Sequence, residues 1–447
     1  MAKKQSLWDV QRDLQLNATF SGLVKSASEP LGGQVMIGRE PESHQVGLWL
    51  PALCLRYLFQ LTCMPLSRVM QIAGEEGSAK SAFLYELIRL HCANGGGAVL
   101  AENENKDSPI LRHSILQWNE DYLNRLITKK TYCVEEWQHV FTHFLQQFKA
   151  IMDAKDGPGR TLPILLAVDS IMGTATRGEL DAIESSGFAE RGYAVAANII
   201  TRYMRSVPEG VQTYPFTLVG TNHLKPSTTP NGLPTNTIPG GKSVKFHETY
   251  EVTMKKAPQG AHIDLLDYGG LRVQFKLEKN SAGPGKKTIV AELLWWQEIG
   301  PDGMPRQVTA WDWHSASVEM LLGFESSSKT VFSKVADITG IRAASKRART
   351  AYSELLGIPK DDPQPYRVVG GLLESRPDIL APLHIALGIG SCAIFQPSID
   401  YGLQQEAAKA AALAKEREQC DAGHIEGLPV LGEEQPVATY AEESDDE

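Results

Sequence analysis

The chain has 447 residues, of which 42% are hydrophobic and 22% are charged, and its formal net charge at pH 7 is −9. This length allows one large core and at least one smaller domain. The composition argues against a membrane-spanning protein, a secreted protein with an apolar leader, and a protein uniformly coated with basic residues for nucleic acid. The six cysteines are scattered without a Cys-x-x-Cys pair, so neither a zinc ribbon nor a disulfide framework is indicated. We therefore expect a cytoplasmic protein with buried free thiols.

Changes in composition divide the chain into four predicted parts. Residues 1–60 form an N-terminal arm that we expect to serve oligomerisation. Residues 61–323 alternate buried strand runs with helical stretches, which predicts an α/β domain with a mainly parallel central sheet. Residues 324–400 form a small, mostly helical domain, and residues 401–447 a helix and a disordered acidic tail.

A glycine-rich turn lies between the apolar run 69–73 and a helix-like segment. Such a turn directs backbone N–H groups and the positive end of a helix dipole at one point, where a lysine and a hydroxyl can join them around phosphate and Mg²⁺. The turn therefore predicts a nucleotide-phosphate site. It consists of Gly74, Glu75, Glu76, Gly77, Ser78, Ala79, Lys80 and Ser81, followed by Ala82.

Ala79 departs from the usual pattern G-x-x-x-x-G-K-[ST], which has glycine at this position. A side chain is tolerated there without strain only if the backbone stays at negative φ. We therefore expect a negative φ at Ala79.

Acidic residues follow two further apolar runs at the places where buried strands are predicted to end. Residues 162–168 lead into Asp169, which we expect to hold the hydration shell of Mg²⁺ beside Ser81. Residues 98–101 lead into Glu102 and Glu104, and one of these two glutamates is placed to activate water.

A third apolar run, residues 216–221, ends in the polar pair Asn222 and His223. The next stretch, residues 224–241, is rich in Pro, Gly, Thr and Asn, and we expect it to be a long functional loop without helix or strand. Thr221 itself is expected to pack rather than to bring its hydroxyl to the site.

A second helical stretch, residues 336–355, carries a local basic face within an acidic protein. A solvated helix surface and a DNA-contacting surface are both compatible with this pattern. Its basic residues are Arg342, Lys346, Arg347 and Arg349.

The order of these motifs resembles the RecA family of ATP-dependent DNA recombinases, and more narrowly its phage-type members, over about residues 70–294. The family has an acid-x-Glu pair with a Pro five residues beyond the Glu, and Glu104 with Pro109 is similar. This resemblance favours Glu104 over Glu102 as the general base. Asp169 is similar to the family's acid at the next strand end.

The resemblance also implies the remaining site residues. Asn222 and His223 stand where the family commonly has Asn-Gln, the pair that senses the γ-phosphate. Lys279 is similar to a lysine that reaches a neighbouring subunit's γ-phosphate, with Lys276 and Lys286 as alternatives. Two DNA-binding loops are implied, and their candidate contacts are Arg177, Arg191, Lys225, Gly240, Gly241 and Lys242.

The function implied by the resemblance is a DNA-stimulated ATPase with ATP and Mg²⁺ as cofactors. It would form helical filaments of its own copies on single-stranded DNA and pair them with double-stranded DNA, in a bacterial or phage-infected host cytoplasm, with a single-strand-binding or mediator protein as a further partner. One alternative is a ring-forming motor of the same core, such as a replicative helicase or its loader. The other is an ATP-binding scaffold that does not hydrolyse ATP.

Overall fold

The structure is a computed structural model. It describes residues 46–104, 109–154, 162–186, 192–228, 232, 234–239, 241–258, 260–264, 268–281, 286–339, 365–391 and 393–394. Within these residues, no helix combines the length and the apolar character needed to cross a membrane.

Fifteen strands are found in the described residues, and most of them are short. They are β1 (Val46–Trp49), β2 (Cys63–Pro65), β3 (Val69–Gly74), β4 (Gly97–Glu102), β5 (Leu126–Lys130), β6 (Ile164–Asp169), β7 (Phe216–His223), β8 (Lys225–Thr228), β9 (Pro234–Thr237), β10 (Tyr250–Lys256), β11 (His262–Asp264), β12 (Tyr268–Asn280), β13 (Thr288–Ile299), β14 (Pro305–Asp312) and β15 (Ala393–Ile394).

Twelve helices are found in the same residues. They are α1 (Leu53–Phe59), α2 (Lys80–Ala93), α3 (Pro109–Ile115), α4 (Glu120–Leu123), α5 (Val134–Asp153), α6 (Arg177–Ser186), α7 (Gly192–Thr213), α8 (Gly241–His247), α9 (Trp313–Ser327), α10 (Lys329–Thr339), α11 (Pro365–Glu374) and α12 (Pro377–Leu387).

Ten strands of the described part form the central sheet, in the order β14-β13-β12-β10-β3-β7-β6-β4-β5, with β11 beside β12. The six strands from β10 to β5 are parallel, whereas β12, β13 and β14 pair antiparallel. The prediction of an α/β fold with a mainly parallel sheet is therefore confirmed. The antiparallel strands at one edge of the sheet were not predicted.

Alternating residues of the parallel strands face two separate hydrophobic clusters, as the two-residue period of a strand requires. On one face, Leu165 and Ala167 pack in a cluster with Phe83 of α2. On the other face, Ile164 and Leu166 share a cluster with apolar residues of α5 and α7. Every residue of β6 is buried, which explains why its sequence is a continuous apolar run.

The segments that flank the parallel core meet in a smaller sheet, because β1 pairs with both β2 and β15. A buried ion pair of 2.7 Å joins Arg56 of α1 to Glu374 of α11, and a third hydrophobic cluster contains residues of α1, α9 and α12. The basic residues predicted at 342–349 and the acidic tail lie outside the described residues. Cys54, Cys63, Cys92 and Cys133 are buried and take part in no disulfide among the described residues, as predicted.

Candidate functional site

The carboxyl ends of four neighbouring parallel strands bring the predicted site residues to one edge of the sheet. In register, Gly74 of β3 lies beside His223 of β7, and Glu102 of β4 lies beside Asp169 of β6. Ligands of open α/β sheets bind outside such strand ends. The site is therefore assembled by the sheet from residues far apart in the sequence.

The phosphate loop connects β3 to α2 and is held by its own main chain. The hydroxyl of Ser78 donates to the carbonyl of Glu75 at 2.8 Å, and the N–H of Ser78 donates to the same oxygen at 3.3 Å. A Cβ on Gly74 would lie 2.5 Å from Oγ of Ser78 and 2.6 Å from the carbonyl of Met254, so only glycine fits there.

Ala79 has φ 63° and ψ 30°, which is the left-handed region, and the expectation of a negative φ was therefore wrong. The loop reverses direction immediately before the first turn of α2, and this reversal requires a left-handed residue at the cap position. The structure keeps the loop's shape and places the conformational strain on Ala79.

Lys80 is 8% exposed, and its ammonium group donates to the carbonyls of Gly74 at 3.1 Å and Glu75 at 2.7 Å. A buried cation held by main-chain carbonyls lies inside the curve of the loop. A cation beside the N-terminus of a helix is an arrangement that binds phosphate groups.

Asp169 accepts hydrogen bonds from the hydroxyls of Ser81 and Thr221. Burial raises the pKa of the Asp169 carboxyl above its ordinary value, the two hydroxyls and Lys80 oppose this shift, and the charge of Glu104 adds to it. For Thr221, packing was favoured over a hydroxyl contribution to the site, and the structure shows that the hydroxyl contacts Asp169.

The oxygen donors of Ser81 and Asp169 fit Mg²⁺, which usually binds one or two protein oxygens and fills its remaining positions with water and phosphate oxygens. No cluster of three or more His, Cys, Asp or Glu suited to a metal ion is found among the described residues. The donor set therefore fits a nucleotide-bound Mg²⁺ and not a cation enclosed by protein groups alone.

Nε2 of His223 lies within hydrogen-bond distance of Oε1 of Glu104, at 2.7 Å, and the side chains of Glu104 and His223 are 13% and 33% exposed. Glu102, the alternative base, is only 4% exposed. Between them, the Asn103 side chain exchanges two hydrogen bonds of 2.6 Å with the backbone of Ser170. Sequence reasoning missed this link, and the only signal for it was the position of Asn103 between the two acids.

Asn222 is fully buried and connects the site to the long loop that follows β7. Its Nδ2 donates to the carbonyl of Pro239 at 2.8 Å, and its Oδ1 accepts from the N–H of His223 at 3.0 Å. The N–H of Leu224 donates to the carbonyl of Gly74 at 3.1 Å. One strand end thus contacts both the phosphate loop and the second loop.

The second loop was predicted to have no helix or strand, and this was wrong in part. Strands β8 and β9 pair antiparallel within it, from Lys225 opposite Thr237 to Thr228 opposite Pro234. Pro226 and Pro234 lie within the short pairing and its residues do not alternate in polarity, so the sequence gives a weak strand signal. The loop is therefore a hairpin that leads towards α8.

The predicted DNA contacts are dispersed over several elements. Arg177 starts α6, is 57% exposed, and pairs with Glu136 at 2.6 Å. Lys225 is exposed on β8, and Gly241 and Lys242 begin α8. Gly240 and Arg191 lie outside the described residues.

The three candidate trans-acting lysines make different contacts. Lys279 at the end of β12 donates to the carbonyls of Lys245 and Phe246 in α8. Lys276 and Lys286 both pair with Glu278, at 2.6 and 3.3 Å. None of these contacts involves the site residues of the same chain.

The chain is similar to three curated proteins, each described as Protein RecA. The identity is 22% over 240 residues for the Fusobacterium nucleatum protein, covering 54% of this chain and 57% of the relative. It is 21% over 292 residues for Enterococcus faecalis (65% and 77%) and 21% over 239 residues for Lactobacillus johnsonii (54% and 60%). The chain thus spans just over half the length of the first of these relatives, and no family model matches it.

Proposed function

We propose that this chain is a Mg²⁺-dependent ATPase of the recombinase type, which binds single-stranded DNA as a filament and pairs it with double-stranded DNA. The observation that carries the proposal is the convergence of Lys80, Asp169 and Glu104 at one sheet edge beside a glycine-rich loop. Distant similarity to RecA proteins supports the same family of reactions.

In this proposal, ATP supplies the phosphoanhydride bond and Mg²⁺ neutralises its charge. Lys80 and the N–H groups at the start of α2 bind the phosphates, and Lys80 exchanges its contacts with Gly74 and Glu75 for phosphate oxygens. Ser81 and Asp169 orient the metal, and the hydroxyl of Thr221 fixes the rotamer of the carboxylate.

Glu104 would orient and deprotonate the attacking water. In the present state its carboxylate contacts His223, so one of its oxygens is engaged. A γ-phosphate beside His223 would attract the imidazole away from Glu104. The Glu104 carboxylate could then accept a hydrogen bond from the attacking water. His223 would therefore both sense the nucleotide and restrain the base in its absence.

The link to DNA would pass through Asn222. Its hydrogen bond to Pro239 connects the strand that carries His223 to the second loop, at a distance of 2.8 Å. DNA that orders the loop would shift this carbonyl and with it the end of β7. This connection provides a physical route for DNA-stimulated hydrolysis.

The test is steady-state ATP hydrolysis with and without single-stranded DNA, with Lys80→Ala as the blank. We expect DNA to raise the rate by at least about tenfold, in line with typical coupling energies of 1–3 kcal/mol. Tight ATP binding without turnover would reject the proposal in favour of the scaffold. Rings in place of filaments, seen by negative-stain microscopy with DNA and a non-hydrolysable ATP analogue, would favour the ring-forming motor.

Glu104→Gln tests the general base directly, and Glu102→Gln is its matched control. We expect Glu104→Gln to lower the rate about 10²–10⁴-fold, the range of a general base, while nucleotide-dependent DNA binding is kept. Glu102→Gln should retain most of the turnover. Undiminished hydrolysis in Glu104→Gln would remove that residue from the mechanism.

A further inference from the structure

Lys279 caps the C-terminus of α8 in its own chain. Its ammonium group donates to the carbonyl of Lys245 and, at 3.4 Å, to that of Phe246, both in the last turn of the helix. The final carbonyls of a helix lack partners within the helix, and a cation there also complements the helix dipole. The contact is therefore favourable in this state and turns the lysine back on its own chain.

The capped helix lies between the second loop and the sheet. It begins at Gly241, directly after that loop, and it ends where the N–H of Glu248 bonds to the carbonyl of Val244. The N–H of Thr249 then bonds to the carbonyl of Val69 and starts the pairing of β10 with β3. A movement of the loop that displaces α8 therefore displaces the carbonyls that hold Lys279.

A carboxyl pair anchors α8 on the other side. Glu248 and Glu251 are 2% and 4% exposed, and Glu251 pairs with Lys245 at 3.1 Å. Burial and the neighbouring Glu251 raise the pKa of Glu248 to about 8. Lys245 of α8 and Lys279 of β12 face the carboxyl pair. Three further charged or titratable groups interact electrostatically with these lysines or with one another, namely Glu278, His247 and Arg205.

We propose that the contact of Lys279 with α8 is autoinhibitory: the lysine is held by its own helix until DNA on the second loop shifts α8, and only then reaches a neighbouring subunit's nucleotide. This inference rests on the proposed function, because it assigns the phosphate as the second binding site of the lysine. Glu251 and Lys245 are positioning residues in this scheme, since they hold the helix and not the nucleotide.

The two binding sites of Lys279 compete on physical grounds. A phosphate is a stronger acceptor for the Lys279 ammonium group than a neutral carbonyl, because the phosphate adds the attraction of opposite charges to the hydrogen bond. The helix contact is favoured only because it is intramolecular and already formed. If DNA binding loosens α8, it strengthens the contact of Lys279 with the phosphate and so raises the affinity for nucleotide. By thermodynamic linkage, nucleotide binding then raises the affinity for DNA by the same factor.

Hydrogen exchange of residues 241–247, measured by mass spectrometry on the full chain, tests the cap without any activity. Lys279→Gln should speed exchange in the last turn of α8 roughly fivefold, the loss expected for a net hydrogen bond near 1 kcal/mol. Lys276→Gln, on the same strand but paired with Glu278, is the matched control and should change nothing there. Equal exchange in Lys279→Gln and the unchanged protein would overturn the proposal.

The same comparison with single-stranded DNA and a non-hydrolysable ATP analogue tests the release. If Lys279 leaves α8, the difference between Lys279→Gln and the unchanged protein disappears; if the fivefold difference persists with both ligands bound, the lysine does not transfer. Fluorescent ATP-analogue binding is measured in parallel. A failure to bind nucleotide refutes the proposed function, whereas binding with a persistent difference refutes only this inference.

Glu251→Gln provides a second variant that keeps Lys279. Loss of the ion pair with Lys245 should loosen α8, raise ATP hydrolysis without DNA roughly threefold, and leave the DNA-stimulated rate unchanged. Glu319→Gln is the control, because it removes an ion pair of 2.6 Å with Arg272 of β12 and lies on α9 and not on α8. Equal DNA-free rates in the two variants would contradict the role of α8.

Discussion

Replacing Ala79 by glycine separates the cost of the left-handed backbone from every other effect at the phosphate loop. An alanine in this region costs about 1–2 kcal/mol, which glycine would recover. Glycine loses about 0.5–1 kcal/mol through its greater freedom in the unfolded chain, and a few tenths more because the half-buried methyl group packs on the core. We therefore expect Ala79→Gly to be neutral or to stabilise the protein by up to about 1 kcal/mol.

Ala150→Gly is the matched control, because Ala150 is exposed inside α5 and there the same substitution costs about 1 kcal/mol. Urea unfolding of both variants gives the two differences in the free energy of unfolding. The left-handed strain would be disproved if Ala79→Gly lost as much stability as Ala150→Gly. Since the loop already has its final shape, we also expect the affinity for a fluorescent ATP analogue to change less than about twofold, or 0.4 kcal/mol.

Three further substitutions test other parts of the structure. Glu374→Gln leaves the fully buried guanidinium of Arg56 without its counter-charge and should cost about 3–5 kcal/mol in urea unfolding, and a loss below about 1 kcal/mol would show that water reaches the pair. The pKa of Glu248 is raised from 4.5 to about 8, so only the folded chain holds that proton between these values, and stability should fall as pH rises from about 5 to 8. Glu248→Gln should flatten this slope, and parallel pH profiles would contradict the assignment. Thr221→Val removes a hydroxyl from the site and should raise the Mg²⁺ concentration needed for ATP hydrolysis about tenfold. Thr217→Val on the same strand should not, because the buried hydroxyl of Thr217 has no hydrogen-bond partner in the part of the chain that the structure describes.

The parts of the fold that follow local rules were predictable from the sequence. The strand, glycine-rich turn and helix at residues 69–93 are found as expected, because apolar runs and loop glycines are local signals. The sign of φ at Ala79 was not predictable, since the path of the loop, and not the residue, determines it. The roles assigned to the site residues remain predictions.

Long-range pairings could not be predicted from the sequence either. The Arg56–Glu374 pair joins residues whose polarity alone suggested exposure. The burial of a charged side chain can be predicted only when the position of its oppositely charged partner is known. No pattern along the sequence gives the distance between two such residues in the fold. The hairpin in the second loop was missed for a related reason, since pairing between two short polar segments leaves no alternation to detect.

The small sheet has a consequence for dissecting the molecule. Because β15 pairs with β1 and the carbonyl of Gly390 accepts from the N–H of Thr62, Gly390 and residues 393–394 complete the small sheet that contains β1. A fragment that stops at residue 323 would lose this strand, the partner of Arg56 and the helices that cover α1. The central sheet is therefore not separable from its flanking segments, and studies of its parts require a fragment that retains residues from both flanks.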